Sequence, residues 1–251
     1  MIQKNFQSFG TLTIASSFYN EARNVLFLWK ELEEVCKIIK VSEFVFVDNG
    51  SSDDTFEELK KLRNLDNRVV LIQNKAPSSY SRGFSTALHN SSSDYTLLIH
   101  SDLQADIEIS IRRLIKEIRN SKINLSKKDY IFLSFRKNRK NFEKVLTFLN
   151  IRIASTILGW KRSYDFNSHP KIIPTKHLKS FSCNDNYTFD LVIVDYLIKL
   201  SKSFKSIEFF EPIPVNIKER KHGESSWSKS PLNFLKIVFS YIYCSIKLRL
   251  N

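Results

Sequence analysis

Residues 95 to 108 read YTLLIHSDLQADIE, and the apolar run in this stretch ends abruptly at a histidine, a serine, an aspartate and a glutamine. The same change occurs earlier, in EFVFVDNGSSDDTFEELKKL (residues 43 to 62), where an apolar run ends at Asp48 before a turn rich in Gly, Ser and Asp. Each run has the length of a buried strand, and each is followed by a helical pattern. Two strands that end in carboxylates predict a ligand site along one edge of a sheet.

Strand and helix patterns alternate along the first half of the chain. The predicted strands cover residues 11–16, 44–47, 68–72 and 95–99. Because parallel neighbours need crossover connections, this alternation predicts a mostly parallel, doubly wound α/β sheet. In the second half we predict a strand at 130–134 and helices near 141–158 and 186–200. With no linker or repeat, we expect one domain over residues 1–230, followed by an amphipathic helix at 231–251.

The charge of the chain is concentrated in its second half. The formal net charge is +13. Residues 1 to 121 carry 15 Lys and Arg against 16 Asp and Glu, whereas residues 122 to 251 carry 24 against 10. Such a basic half predicts an anionic partner, and charge alone leaves nucleic acid, acidic lipid and phosphorylated small molecules open, beside an ordinary solvated surface.

Other features of the sequence bear on where the protein works. Its three cysteines are far apart, which favours a reducing compartment over a disulfide framework. We identify neither a signal peptide nor an apolar run long enough to span a bilayer. Residues 231 to 250 combine apolar and aromatic side chains with Lys236, Lys247 and Arg249, which is typical of an interfacial helix, although packing on the core or on a dimer partner would also suit them. These features predict a cytoplasmic protein, peripheral at the cytoplasmic face of the membrane.

Four segments together resemble a known family of enzymes. In chain order they are SFYNEARNV (17–25), VDNGSSDDT (47–55), SDLQADIE (101–108) and VNIKERKHGESSW (215–227). Their order and spacing are similar to those of family 2 glycosyltransferases, which have the Rossmann-like GT-A fold. The likeness is greatest to the dolichol-phosphate mannosyltransferase branch and its bacterial polyprenyl-phosphate relatives. The resemblance implies a nucleotide-sugar half at residues 1–121 and a basic acceptor half at 122–230.

The resemblance also implies a divalent cation, Mg²⁺ or Mn²⁺, at the donor diphosphate. Sugar transfer separates a dianionic leaving group from an electron-poor anomeric carbon, so positive charge is needed there. The family motif has two acids separated by one residue, and a Gln two residues later. Here Asp102 and Gln104 match the second acid and the Gln, and His100 replaces the first acid. On this reading His100 is a ligand that favours Mn²⁺ over Mg²⁺, or a donor to a phosphate, unless it simply ends a strand.

Further residues match positions at which the family binds the nucleotide-sugar donor. Tyr19 and Glu21 match the segment that holds the base and ribose, and Asp48 matches the acid that contacts them. The other donor positions implied are Gly50, Ser51, Arg82, Gly83, Arg220 and Lys229. Turn and helix-start chemistry would explain several of them equally well. The donor implied is a UDP-sugar or a GDP-sugar.

The basic half matches the acceptor side of this branch. In that branch, an Arg after the fifth strand and further basic residues bind a lipid phosphate. This phosphate attacks the sugar and inverts the configuration of its anomeric carbon. Arg136 fits the first position, and Arg139 and Arg152 are candidates for the second. Because a phosphate is already anionic, this reaction needs no strong general base. A hydroxyl acceptor would need one, and Asp190 is the candidate base for that case.

The leading hypothesis is therefore an inverting glycosyltransferase that moves one sugar from a nucleotide-sugar to a polyprenyl phosphate at the membrane surface. Its runner-up transfers the sugar to a hydroxyl of a surface polysaccharide or glycolipid. From another class, a degenerate site would bind nucleotide or lipid without turnover. Charge alone would also fit a nucleic-acid-binding protein, but we expect no nucleic-acid partner. A membrane-protein partner or peripheral attachment would replace the transmembrane helices that other members of the branch carry, and a homo-oligomer is a further possible partner.

Overall fold

The computed structural model describes residues 10–75, 79–121, 123, 125, 127–183, 188–219 and 231–250, without the side chains of residues 141, 142, 231–235 and 237. Its strands are β1 (Leu12–Phe18), β2 (Val41–Asp48), β3 (Val69–Gln73), β4 (Tyr95–Leu98), β5 (Asp129–Ile131), β6 (Ser134–Arg136), β7 (Lys171–Pro174), β8 (Ile207–Phe209) and β9 (Ile213–Val215). Its helices are α1 (Ala22–Ile38), α2 (Thr55–Leu65), α3 (Tyr80–Asn90), α4 (Ile107–Asn120), α5 (Asn141–Leu158), α6 (Phe189–Ser203) and α7 (Pro231–Leu250).

The central sheet has five strands in the order β3, β2, β1, β4, β7. β1 pairs in parallel with β2 and β4, and β2 pairs in parallel with β3, whereas β7 runs antiparallel to β4. The prediction of a mostly parallel, doubly wound sheet is therefore confirmed, with one antiparallel edge strand. Phe18 pairs with Asp48, and Ala15 pairs with Leu98. Both polar strand ends that the sequence singles out consequently lie at the same edge of the sheet.

Two apolar layers cover the two faces of the sheet. On one face α1, α2 and α4 pack through residues such as Leu28, Leu59 and Ile111. On the other face α3 and α6 pack through residues such as Phe84 and Val194, and α5 and α7 belong to the same layer. Covering both faces explains why the central strands are apolar on both sides, since each buried aliphatic side chain contributes roughly 1.5–3 kcal/mol.

Residues 130–134, predicted as one strand, belong to two. β5 pairs in parallel with β8, and β6 pairs in parallel with β9. Between β5 and β6, Phe132 exchanges two backbone hydrogen bonds with Ile172 of β7, at 2.9 and 2.8 Å. This third partner interrupts the strand, so β5 ends at Ile131 and β6 begins at Ser134.

α7 packs against the domain by one of its faces. Its Tyr241 and Cys244 are buried in the same apolar layer as α5 and α6. Lys199 Nζ of α6 donates a hydrogen bond to the carbonyl of Leu248 (2.9 Å). The predicted division of the chain into a domain over residues 1–230 and a separate helix at 231–251 stays a prediction. Among the helices that the structure describes, none combines the length and the apolar character needed to cross a membrane.

Candidate active site

The acid at the end of β2 is fixed in a sharp turn. Asp48 is fully buried. Its Oδ1 accepts a hydrogen bond from the backbone N–H of Ser51 (3.2 Å), and Gln73 Nε2 donates to its Oδ2 (3.4 Å). Gly50 has a φ of +79°, in the left-handed region that favours glycine. The carboxylate is therefore held at the strand end, beside β1.

Tyr19 and Glu21 follow β1 at the same edge of the sheet. Tyr19 is 51% exposed. Glu21 accepts a hydrogen bond from the side-chain amide of Asn24, and Ser51 Oγ accepts one from the backbone N–H of Asn20 (3.0 Å). These contacts join the loops after β1 and β2. The predicted donor residues brought together in this way are Tyr19, Glu21, Asp48, Gly50 and Ser51.

The start of α3 approaches β1 closely at Gly83. A Cβ added to Gly83 would lie 2.1 Å from Ser17 Oγ, so the packing against β1 requires glycine. Ser79 caps the helix, and its Oγ accepts a hydrogen bond from the backbone N–H of Arg82 (3.2 Å). The side chain of Arg82 is exposed. The close backbone approach inferred at Gly83 is thus observed, and its partner within the chain is Ser17.

Asp102 and Gln104 form a turn after β4. Asp102 Oδ1 accepts a hydrogen bond from the backbone N–H of Gln104 (3.1 Å), and both side chains are half-buried. The carbonyl of Gln104 accepts a hydrogen bond from the backbone N–H of Lys218 (2.7 Å), so the segment after β9 runs along this turn. Arg220 and Lys229, predicted near the donor diphosphate, lie outside the described residues.

His100 lies in a packed group of rings. Its ring stacks on Tyr80 with the centroids 5.8 Å apart, and it meets Phe84 and His169 in T-shaped contacts at 5.5 and 4.0 Å. Its Nε2 lies 3.2 Å from the Tyr80 hydroxyl. Three neighbouring rings therefore hold the orientation of the His100 side chain.

Asp190 and Lys171 form a buried ion pair in contact with this group. Lys171 Nζ lies 2.5 Å from Asp190 Oδ1, and the two side chains are 1% and 6% exposed. His169 Nε2 lies 2.8 Å from the same oxygen, and the Tyr80 hydroxyl donates to Asp190 Oδ2 (2.7 Å). Burial alone would raise the pKa of Asp190, but Lys171 and His169 outweigh it and hold that pKa well below its usual range. Asp190 is consequently a charged carboxylate with partners on both oxygens, and a weak base.

Burial also shifts the pKa of two neighbours of this ion pair. The fully buried His169 has its pKa lowered to about 3 by desolvation, with His100 and Lys171 adding to the effect, so its ring is neutral at neutral pH. Burial, reinforced by the Asp190 carboxylate, raises the pKa of the Tyr80 hydroxyl well above its usual value. Tyr80 therefore keeps its proton, and the charges of the group are those of Lys171 and Asp190.

Arg136 forms a second ion pair, with Asp165, in which the two side chains are 15% and 7% exposed. Its Nε and Nη2 donate to the two carboxylate oxygens at 2.9 and 2.6 Å, which fixes the guanidinium plane. Burial would lower the pKa of Arg136, but Asp165 outweighs it and raises that pKa. The charges of Asp165 and Asp190 each act on the cation of the other pair, so the two ion pairs are neighbours.

Of the other two basic residues predicted on the acceptor side, Arg139 is half-buried near Arg136, and burial together with the charge of Arg136 lowers the pKa of Arg139. Arg139 pairs with Glu143 in the first turn of α5, at 3.2 Å. Arg152, further along the same helix, is exposed. Their roles toward an acceptor stay predictions.

Comparison with known proteins assigns the chain to a family. The model of the family described as Glycosyl transferase family 2 matches residues 13–171, more than half of the chain. The chain belongs to glycosyl transferase family 2. Among curated proteins, none matches the chain at a significant level.

Solved structures agree with the fold of this family 2 glycosyltransferase. One is glucosyl-3-phosphoglycerate synthase from Mycobacterium tuberculosis in complex with Mn²⁺, UDP and glucosyl-3-phosphoglycerate, at 15% identity and a TM-score of 0.61, over 95% of this chain and 79% of that one. The same synthase in complex with phosphoglyceric acid gives 14% identity and a TM-score of 0.63, over the same shares of the two chains. At this identity the likeness concerns the fold, and it confirms the expected GT-A architecture.

The residues of this family 2 glycosyltransferase fit a divalent cation. His100, His169 and Asp190 each offer one ligand atom, and these atoms lie within 4.8 Å of one another. Two nitrogens and a carboxylate oxygen suit Mn²⁺ or a softer ion better than Mg²⁺. However, Lys171 Nζ lies 2.5 Å from Asp190 Oδ1 and 3.0 Å from His169 Nε2, so an ammonium already neighbours two of the three ligand atoms. A metal ion bound to all three would compete with Lys171, whereas the predicted ligand Asp102 is not part of that ion pair.

Four residues of the site are not identified from the sequence: Tyr80, Asp165, His169 and Lys171. The sequence does indicate Lys171, because this lysine begins an apolar strand and Asp190 lies on a mostly apolar helix. A buried charge needs a partner, and this rule applied to both positions would have paired them. Tyr80 has no comparable signal, since its role depends on contacts with His100 and Asp190 across the fold.

Proposed function

We propose that the chain transfers one sugar from a UDP-sugar to an acceptor phosphate with inversion, and that the acceptor is a polyprenyl phosphate at a membrane surface. The observation that carries the proposal is the pair of neighbouring cations beside the strand ends: Arg136, which is mostly buried, and Lys171, which is fully buried. Asp165 and Asp190 already neutralise these two charges, as burial of a charge requires, so an acceptor phosphate would bind here by sharing or replacing one of the carboxylate partners. The planar guanidinium of Arg136 binds the Asp165 carboxylate through two nitrogens, and the same two donors can bind two oxygens of a phosphate.

The donor side is supported by the arrangement at the sheet edge. The buried Asp48 offers a hydrogen-bond acceptor to a base or ribose, and the exposed ring of Tyr19 offers a stacking surface. Structures with the same fold contain UDP or UDP-glucose together with Mn²⁺. These observations favour UDP over GDP for the donor, and Mn²⁺ for the cation.

The acceptor side is supported by the state of Asp190. Partners on both carboxylate oxygens and a lowered pKa make it a poor acceptor of a proton. A hydroxyl nucleophile needs a base, whereas a phosphate nucleophile is already anionic. The weak basicity of Asp190 therefore favours the phosphate acceptor over the hydroxyl acceptor.

In the proposed reaction, an acceptor phosphate oxygen bonds to the anomeric carbon while the bond from that carbon to UDP breaks. The electron pair of the broken bond stays with the β-phosphate of UDP. A divalent cation held by Asp102, His100 and Gln104 would neutralise that developing charge. Arg136 orients the acceptor phosphate, and Asp48 holds the nucleoside of the donor.

Membrane attachment is supported by an exposed apolar surface on two adjoining helices, called here the α5–α7 surface. It comprises Val145, Phe148, Leu149 and Ile153 on α5 and Phe239, Tyr243, Ile246 and Leu250 on α7. α7 carries three basic residues and no acidic one, and α5 carries two basic residues and one acidic one. Apolar side chains among basic ones suit the interface of an anionic bilayer. The protein would then lie with this surface on the cytoplasmic face of the membrane.

A second candidate is transfer to a hydroxyl of a small phosphorylated acceptor. It is favoured by the likeness to the mycobacterial synthase, which was crystallised with phosphoglyceric acid. Here Arg136 and Lys171 would hold the phosphate of the acceptor, and a hydroxyl of the same acceptor would attack the sugar.

Transfer assays with UDP-sugars and Mn²⁺ test these proposals. Three acceptors are compared: a polyprenyl phosphate in detergent, the same polyprenol without phosphate, and 3-phosphoglycerate. We expect a product with the polyprenyl phosphate only, and retained transfer in folded Asp190→Asn protein. A product on 3-phosphoglycerate that Asp190→Asn abolishes would favour the second candidate. UDP binding without transfer from any UDP-sugar or GDP-sugar would favour a degenerate site.

A further inference from the structure

A four-residue turn between α5 and β7 carries the partner of Arg136. It covers residues 165–168 and is closed by a hydrogen bond from the backbone N–H of Ser168 to the carbonyl of Asp165 (2.9 Å). The Asp165 carboxylate accepts from the guanidinium of Arg136 and, through Oδ2, from the backbone N–H of Arg136 (3.1 Å). The Ser168 and Ser134 hydroxyls lie 2.7 Å apart, so both ends of the turn are bonded to β6.

α7 contacts the middle of this turn through Tyr241. The Tyr241 ring meets the ring of Phe166 in a T-shaped contact, with the centroids 5.2 Å apart. Its hydroxyl donates a hydrogen bond to Asn167 Oδ1 (2.9 Å). Tyr241 and Phe166 are 3% and 1% exposed, so both rings lie away from bulk water. Two neighbouring residues of the turn are therefore held by one side chain of α7.

The Tyr241 hydroxyl also lies in the electric field of both ion pairs. Burial and the charge of Asp190 raise the pKa of Tyr241 well above its usual value, whereas the bond to Asn167 and the charge of Arg136 act in the opposite direction. Tyr241 consequently keeps its proton at neutral pH and donates it to the hydrogen bond with Asn167. The hydroxyl of a residue on α7 thus lies beside the two cations of the proposed acceptor site.

The position of this turn determines how Arg136 can meet an acceptor phosphate. The planar guanidinium binds two oxygens at once only when their positions match its plane. Asp165 sets that plane, so a phosphate that shares or replaces Asp165 has to approach in the same plane. Groups that bind a reacting ligand need supporting contacts that hold them within about 0.5 Å of the productive geometry. The contacts of Tyr241 with Phe166 and Asn167 supply such support to the turn that carries Asp165.

We propose that Tyr241 is a positioning residue of the acceptor site: by holding the turn at 165–168, it sets the orientation of Arg136 toward an acceptor phosphate. This inference rests on the proposed function, because the acceptor phosphate is part of that function. It goes further by giving α7 two roles. Phe239 and Tyr243 on its outer face belong to the exposed α5–α7 surface, whereas the buried Tyr241 supports the acceptor site. Membrane attachment and acceptor binding would then depend on the same helix.

The orientation of Arg136 can be followed without any reaction. A guanidinium Nε–H that is held by a carboxylate gives a resolved NMR signal that exchanges slowly with water, and Arg136→Lys identifies this signal by its loss. Tyr241→Phe keeps the ring contact with Phe166 and removes the hydrogen bond to Asn167. We expect the Arg136 signal to shift and to exchange about twofold to tenfold faster, as one lost hydrogen bond implies. An unchanged Arg136 signal in this variant would overturn the proposal.

The matched control is Tyr196→Phe on α6. The Tyr196 hydroxyl donates to the carbonyl of His177 (2.8 Å) and lies 2.8 Å from the Ser180 hydroxyl, and its ring packs on the same apolar layer as Tyr241. The variant therefore removes a hydrogen-bonded hydroxyl whose partners are residues 177 and 180 rather than the turn. It should leave the Arg136 signal unchanged. Equal changes in the two variants would mean that Arg136 responds to general loosening of the layer, and would overturn a specific role of Tyr241.

Acceptor binding provides the second test. Calorimetry with a short-chain polyprenyl phosphate in detergent measures the affinity for the acceptor, and calorimetry with UDP and Mn²⁺ measures the affinity for the donor nucleotide. In Tyr241→Phe we expect the acceptor to bind about twofold to tenfold more weakly and UDP to bind as in the wild type. Unchanged acceptor affinity, or equal losses for the acceptor and UDP, would contradict the positioning role.

A double variant tests whether the effect passes through the turn. Asn167→Ala removes the other partner of the hydrogen bond, so it should weaken acceptor binding as Tyr241→Phe does. Because both changes break the same contact, the double variant should lose little more than either single variant, and additive losses would refute the role of this contact. A wild type that binds no polyprenyl phosphate would count against the proposed function, whereas the Arg136 signal would still decide whether Tyr241 positions that side chain.

Discussion

At the scale of single residues, Lys171 keeps its charge in the interior because Asp190 lies beside it. Lys171→Met should leave the Asp190 carboxylate buried without its cation. Removing one partner of a buried ion pair costs about 3–5 kcal/mol, and we expect a loss of this size in the free energy of unfolding, measured by urea denaturation. The control is Lys176→Met, because Lys176 is 66% exposed in its pair with Asp129 and such surface pairs contribute about 1 kcal/mol or less.

A double variant separates the lost pair from the lost side chain. Lys171→Met with Asp190→Leu removes both charges, and well-packed apolar residues can replace a buried ion pair with little loss of stability. We expect the double variant to recover much of the stability that the single variant loses. Equal losses in Lys171→Met and Lys176→Met would contradict the importance of the buried charge.

Asp94, at the start of β4, makes a pH-dependent contribution to the free energy of unfolding. Its Oδ2 accepts hydrogen bonds from the backbone N–H and the hydroxyl of Thr11, at 2.7 and 2.8 Å, and these lower the pKa of Asp94. Because the folded pKa lies below the unfolded one, the stabilisation is present above about pH 4 and is lost as the pH falls through the folded pKa.

Asp94→Asn should therefore be slightly less stable than the wild type near neutral pH, by about 1 kcal/mol or less because the side chain is mostly exposed. The difference should shrink as the pH falls through the lowered folded pKa of Asp94, because the wild-type carboxylate then becomes protonated as well. Urea denaturation of both proteins across this pH range measures it. A difference that stays constant with pH would show that the charge of Asp94 is not its cause.

At the scale of the elements, α3 depends on glycine for its contact with β1. In Gly83→Ala the new Cβ would lie 2.1 Å from Ser17 Oγ and 3.1 Å from Ser17 Cβ, so the Ser17 hydroxyl has to rotate and α3 has to move slightly away from β1. Overpacking of this kind costs about 1–3 kcal/mol. Because Tyr80 lies on the same helix, we also expect weaker nucleotide binding, measured by calorimetry with UDP and Mn²⁺.

Two variants calibrate this result. Ser85→Ala, on the same helix, removes a buried hydroxyl that has no hydrogen-bond partner among the described residues, and it should be nearly neutral. Ser17→Gly combined with Gly83→Ala removes the opposing side chain and should restore much of the lost stability. If Gly83→Ala is as stable as Ser85→Ala, the contact between α3 and β1 is looser than the distances indicate.

The elements also show which features a sequence can predict. β1 to β4 and the helices after them were predictable because apolar periodicity is a local signal, and both acidic strand ends followed from it. Residues 130–134 were misread as one strand because the apolar run is continuous, whereas the pairing partner changes from β8 to β9. The group around Asp190 was beyond local reasoning: Tyr80 is 110 residues away along the chain.

At the scale of the whole molecule, the α5–α7 surface and the basic second half should act together at a membrane. The protein should therefore co-sediment with vesicles that contain anionic lipid, and less so with neutral vesicles or at high salt, where screening weakens the attraction. Phe148→Ser with Tyr243→Ser removes two aromatic side chains that are 61% and 70% exposed. Because each buried apolar side chain contributes about 1.5–3 kcal/mol, vesicle binding should fall by at least about tenfold.

The matched control is Leu65→Ser, which removes a side chain that is 75% exposed at the end of α2, a helix that packs on the opposite face of the sheet. It should bind vesicles like the wild type. Equal vesicle binding by the double variant would mean that the basic residues suffice or that another surface inserts. If the wild type is instead a dimer in sedimentation velocity and the double variant a monomer, the α5–α7 surface is occupied by a second copy of the chain, because apolar surface buried between copies is no longer available to lipid.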